Sequence, residues 1–114
     1  MTNDKLDVLQ GTLDLMVLRT LDTMGAMHGF GLARRIEQVS DGTLALNQGT
    51  IYASLVRLQH RGLISAKWGT SENNRRAKFY SITKAGRRRL EQGVSAWERL
   101  SIVMGRILSP AGKP

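Results

Sequence analysis

Between Ser71 and Thr83 the chain reads SENNRRAKFYSIT, with two asparagines and the cations Arg75, Arg76 and Lys78 ahead of an alternating stretch. Guanidinium and ammonium groups so closely spaced neutralise phosphates and release counterions, and arginines can also enter a narrow minor groove. The short amides of Asn73 and Asn74 suit phosphate oxygens or groove edges. Contacts of this kind position a protein on a duplex more than they read it. A second set of residues, in NQGTIYASLVR from Asn47 to Arg57, has the chemistry for reading. On the major-groove edges of bases an amide such as Gln48 pairs with adenine and a guanidinium such as Arg57 with guanine, while the hydroxyls of Thr50 and Ser54 bond to either. Gly49 allows the backbone to come close.

The charge pattern points to the same partner. The net charge is +8, and residues 61 to 89 hold nine basic residues and one acid, Glu72, against eight bases and eight acids elsewhere. A merely solvated surface would spread the excess, whereas a polyanion footprint concentrates it. The cluster has no apolar face, which disfavours a membrane surface. No apolar run approaches the length needed to span a bilayer, and the amino end MTNDKLDVLQGT is too polar for a signal peptide, so a cytoplasmic location is expected. There is no Cys, and His28 and His60 are too few and too far apart for a metal site; no cofactor and no catalytic residue is expected. His60 reads as a helix-end or solvent-facing residue, and HGFG at 28 to 31 lacks the remaining features of a phosphate loop.

These side chains need elements to hold them, and 114 residues suffice for one folded unit. Periodicity predicts a first helix over 12 to 24, with Thr12 as N-cap, Leu13, Met16, Val17, Leu21 and Met24 on one stripe, and Leu15 and Leu18 on a second face. Such a helix wants covering on two sides. A second helix carries Leu32, Ile36 and Val39 and stops at Asp41 and Gly42; a third starts at the N-cap Asn47, buries Ile51, Leu55 and Leu58, and ends at Gly62. At about 100° per residue Thr50, Ser54, Arg57 and Arg61 share the flank opposite that core stripe, with Gln48 and Tyr52 beside them. A strand from Leu63 to Trp68, a loop from Gly69 to Arg76 and a strand from Ala77 to Ile82 form a hairpin whose tip projects. The order is that of a winged helix-turn-helix, mainly α with a small β-hairpin, over residues 1–82 with the wing at about 63–82.

A last helix, from Thr83 to the stop at Pro110, forms the segment 83–110 of the same folding unit. Leu90, Val94, Trp97, Ser101, Met104 and Leu108 make a heptad seam, widened by Ala96, Leu100, Val103 and Ile107. At nearly 40 Å it outruns a body of this size, so it reads as a dimer seam with the partner's first helix against it, an intramolecular fold-back being the alternative. Leu15, Leu18, Leu90, Val94, Trp97, Leu100, Met104 and Leu108 are the expected interface. Trp97 either fills that interface or, with Val94 and Leu15 or Met16, walls a flat pocket for a small planar apolar effector. The expected partners are therefore double-stranded DNA, a second copy of the chain and such an effector, with no membrane. A non-specific RNA- or chromosome-associated protein is the alternative, and would need exposed sheet aromatics, for which Phe79 and Tyr80 qualify.

The stretches LQGTLDLMVLRTL, HGFGLARRI, NQGTIYASLVRLQHRGLI and ENNRRAKFYSITKAGRRRL together resemble the PadR family of bacterial transcriptional regulators, from Leu9 to Leu108. Asn47, Gly49, Thr50, Ile51, Tyr52, Leu55, Leu58, Gly62 and Ile64 match its third-helix signature, and Arg75, Lys78, Tyr80, Thr83 and Gly86 its wing signature. The single short carboxy-terminal helix resembles the compact branch. The resemblance implies a cytoplasmic homodimeric repressor on a palindromic promoter operator, released in several members by a small molecule, with Tyr52 and the wing arginines at the DNA. Ala53 stands where the family often has Pro, and Gln59 where it often has Glu.

Overall fold

The computed structural model describes residues 10–44 and 46–110; Leu9 and the amino-terminal stretch preceding it lie outside the described residues. Four helices and a three-stranded antiparallel sheet follow one another as α1 (Gln10–Met24), β1 (Met27–His28), α2 (Gly29–Val39), α3 (Gln48–His60), β2 (Ile64–Thr70), β3 (Arg76–Ile82) and α4 (Lys84–Leu108). The sheet order is β1-β3-β2, so the hairpin gains a short third strand with Met27 opposite Tyr80 and His28 opposite Phe79. Two residues carry too little pattern to be read as a strand in isolation; pairing with β3 makes them one.

Local chemistry sets most of the boundaries. The Asn47 side chain accepts the Thr50 N–H at 2.8 Å, Thr83 Oγ1 accepts the Gly86 N–H at 3.0 Å, and His28 Nδ1 accepts the Gly31 N–H at 3.0 Å, each satisfying an orphan donor of a helix first turn. Histidine is an unusual N-cap, and the role fixes which ring nitrogen carries no proton when the ring is neutral. At the other ends Gly25, Gly42 and Gly62 have positive φ, as helix exits require. The turn between α2 and α3 is longer than the shortest form of the motif and is pinned by buried Leu44, whose N–H donates to Ser40 Oγ.

Leu13, Val17, Leu18 and Leu21 of α1 form the core with Leu32 and Ile36 of α2, Ile51, Leu55 and Leu58 of α3, and Ile64, Tyr80 and Leu90. Close approach of α4 to this body depends on two glycines. A Cβ at Gly86 would collide with the Leu63 carbonyl oxygen, and one at Gly93 would stand 2.6 Å from Leu15 Cδ1. Beyond Val94 the apolar side chains of the helix lie outside the core formed by the described residues: Trp97, Leu100, Ile102, Val103, Met104, Ile107 and Leu108 are all exposed. The Cα radius of gyration is accordingly 16.1 Å, against about 13 Å for a compact domain of this length.

Candidate nucleic-acid interface

Besides its core stripe, α3 is tied to the body by a residue on α1. Asp14 Oδ1 accepts the Ser54 hydroxyl at 2.6 Å and an Arg57 Nη2 proton at 2.6 Å, while Oδ2 accepts from Arg57 Nε at 3.3 Å. Ser54 is completely buried by this contact, and Asp14 nearly so. The expected polar flank of the helix is thus partly an internal one. Ser54 is withdrawn from the candidate reading residues, because its hydroxyl points into the protein and already has a partner. Arg57 is half-buried in a forked ion pair, a geometry that orients its guanidinium against α1.

The surface that α3 presents outward is turned toward Tyr52, Val56 and Gln59, at i, i+4 and i+7, with Gln48, Gly49 and Ala53 alongside and Arg61 exposed beyond the helix end. Val56 and Gln59 were not among the residues expected to read bases. Their only sequence signal is an i+4 and i+7 relation to Tyr52, which a wheel centred on Ser54 and Arg57 rotates out of view. Asn47 and Thr50 are exposed, but the Asn47 carboxamide oxygen accepts both the N–H and the hydroxyl of Thr50, leaving the amide N–H₂ as the free donor.

In the wing the strands run further than expected, reducing the tip to Ser71–Arg75. Ser71 N–H donates to Arg75 O at 2.8 Å, Asn74 N–H to Ser71 O at 2.9 Å and Arg75 N–H to Ser71 Oγ at 3.3 Å. Asn74 has φ 59°, a left-handed position that asparagine tolerates. Asn73, Asn74, Arg75 and Arg76 are exposed and Lys78 is half-buried. A groove of about 790 Å³ separates the tip from α3, and Arg34, Gln48, Tyr52, Asn73, Arg75, Arg76 and Lys78 all line it, with Glu72 as the only acid on its wall. The structure therefore gathers residues from two distant segments, the tip and the start of α3, around one cationic cleft.

Tyr80 forms the floor of this cleft rather than its surface. It is 4% exposed, and burial pushes its phenol above the ordinary pKa, with the neighbouring Tyr52 phenol adding to the shift. Phe79 is half-buried beside His28, their rings 5.5 Å apart and edge-on. Tyr80 is thus spent on packing and Phe79 partly so, and the exposed aromatic of the sheet is instead Trp68 on β2.

At the other end, Leu15, Met16, Val94 and Trp97 line a second groove of about 710 Å³ between α1, α2 and α4, with Met24, Ile36, Val39 and Leu44 completing its apolar wall. Leu18 and Leu90, expected in a subunit seam, are 2% and 3% exposed within the protomer and belong to its own core. The reason is the fold of α1 and the start of α4 onto one another, which consumes the first turns of the seam. Trp97, Leu100, Met104 and Leu108 stay exposed, and Leu15 and Val94 half-exposed. Among the described residues there is no cluster of three or more His, Asp or Glu suited to a metal, and no helix long and apolar enough to cross a membrane.

A three-helix body carrying a β-hairpin wing, with an exposed face of its third helix opening onto the same cationic cleft as the wing, defines the winged-helix class of transcriptional regulators. Residues 17–92 match the model of the transcriptional regulator PadR-like family, and the chain belongs to that family. Its fold is similar to that of a transcriptional regulator from Clostridium thermocellum, with 26% identity, a TM-score of 0.81, and coverage of 91% of this chain and 100% of the other. It is also similar to a PadR-like transcriptional regulator from Bacillus cereus, at 25% identity and a TM-score of 0.75 over 89% of this chain and 95% of that one. In sequence it is 24% identical, over 98 residues, to an uncharacterized protein of Lysinibacillus sphaericus, covering 86% of this chain and 89% of the relative. DNA-binding transcription regulation is the kind of function this membership supports.

Proposed function

We propose that the protein is a cytoplasmic homodimeric repressor that binds a palindromic promoter operator. The observation that carries this is the shared cleft: the exposed start of α3 and the wing cations face one space lined by four basic side chains and a single acid. In this reading Gln48, Tyr52 and Val56 approach base edges in a major groove, with the Asn47 amide and Thr50 at the flanking backbone. Asn73, Asn74, Arg75, Arg76 and Lys78 engage the adjacent phosphates or minor groove. Arg57, tied to Asp14, serves mainly to hold α3 at its angle.

Dimerisation supplies the second reading head. The uncovered apolar half of α4, from Trp97 to Leu108, supports a partner helix laid along it, which would set two half-sites about one duplex turn, roughly 34 Å, apart. The apolar groove beside Trp97 suits a small planar apolar effector that would bias the angle between subunits.

The test is selection of bound fragments from genomic DNA at physiological salt, followed by affinity measurements over a salt series. An inverted repeat is expected, with Arg75→Ala and Arg76→Ala weakening all sequences and each lowering the salt slope by about one unit, and Gln48→Ala blurring the preferred motif. Enrichment of no motif, with equal binding to any duplex, would overturn operator recognition.

A further inference from the structure

On the wing, Trp68 carries two cations on its ring. The Arg76 guanidinium carbon lies 4.7 Å from the indole centroid and Lys78 Nζ lies 6.0 Å from it. The register explains the grouping: Trp68 pairs with Lys78 and Thr70 with Arg76, so all four side chains leave the same face of the hairpin. The indole is nevertheless 56% exposed. Neither cation is within ion-pair distance of an acidic side chain among the described residues. Within the protomer the two cation-π contacts contribute little at so exposed a site, and they leave most of the ring and both charges open to a partner. It lies on β2, the sheet edge away from β1, and outside the core cluster.

We propose that Trp68 is a positioning residue of the DNA interface. Its ring fixes the directions of Arg76 and Lys78, so that less side-chain freedom is lost when they meet phosphates, and its open edge packs against deoxyribose of the same backbone. This rests on the DNA-binding reading above and adds to it a surface of defined partner chemistry, the sugar-phosphate backbone of a duplex. Pre-organisation by an aromatic face changes how strongly a fixed number of charges binds, and leaves that number unaltered.

The experiment measures affinity of the full chain for a mixed-sequence duplex over a salt series, for wild type, Trp68→Ala, Trp68→Leu, Trp68→Phe, Arg76→Ala and the Trp68→Ala, Arg76→Ala double variant. Trp68→Ala and Trp68→Leu are expected to bind about fivefold more weakly with an unchanged salt slope, and Trp68→Phe within about twofold of wild type. The double variant should lose clearly less than the two single losses combined, because the part of the Trp68 effect that acts through Arg76 is already gone while that through Lys78 and the sugar remains. The leucine and phenylalanine variants keep apolar bulk, so they decide the matter if the alanine variant fails to fold. Wild-type affinity in Trp68→Leu, or losses that simply sum in the double variant, would refute the role of Trp68 while leaving DNA binding intact. Tighter binding of the corresponding single strand, lost in Trp68→Ala, would instead make the indole a base-stacking group and refute the proposal. Failure of wild type to bind any duplex would refute the DNA reading and this inference with it.

Discussion

Asp14→Ala isolates the contact that orients the third helix. The substitution removes the forked contact of Arg57 to α1 and leaves the fully buried Ser54 hydroxyl without its acceptor. Removing one member of a buried ion pair costs about 3–5 kcal/mol, but the Arg57 side chain is 29% exposed and recovers part of its hydration, which brings the charge term to about 2 kcal/mol. A stranded buried hydroxyl adds about 1 kcal/mol. The sum, about 3 kcal/mol, corresponds to a loss of about 12 °C in Tm for a chain of this size. Thermal and urea unfolding at fixed protein concentration measure it, since association would shift the apparent stability. In the double variant with Arg57→Ala the cost should fall short of the sum of the single variants by about 1.5 kcal/mol, because each single substitution already breaks the pair. Strict additivity, or a loss below about 0.5 kcal/mol for Asp14→Ala, would show that the ion pair does not set the helix and would refute the reasoning.

Gly86→Ala should destabilise by about 3 kcal/mol or more, because the added Cβ meets the Leu63 backbone oxygen, which has no room to yield; calorimetry checks it, and an unchanged Tm would contradict the packing. Leu100→Asp places a charge on the uncovered face of α4 and should convert a dimer to monomers by sedimentation, with operator affinity falling at least about 100-fold as the second half-site is lost; a persistent dimer would move the interface elsewhere. Tyr80 makes stability fall at alkaline pH. Its folded-state pKa lies above the unfolded value of 10.0, so the native state holds its proton longer, and the contribution present below pH 10 is lost as pH rises toward the folded value. Tyr80→Phe should flatten that decline in urea midpoints measured on both sides of pH 10, and an identical decline in both proteins would count against the burial.

The caps at Asn47 and Thr83, the exits at Gly25, Gly42 and Gly62, the core stripe of Ile51, Leu55 and Leu58 and the concentration of charge after Arg61 are all consequences of residues within one helical turn or one hairpin of each other. Such interactions close over short loops, so composition and spacing alone determine them. Which side of α3 faces outward was not determined in this way. Asp14 lies 40 residues before Ser54, and only the folding of α1 against α3 makes a serine and an arginine inward-facing while leaving Val56 in solvent. The short strand at Met27–His28 and the removal of Leu18 and Leu90 from the seam have the same origin. Burial of a polar group is favourable only where a partner arrives to bond it, and that partner is supplied by tertiary structure, out of reach of any local pattern.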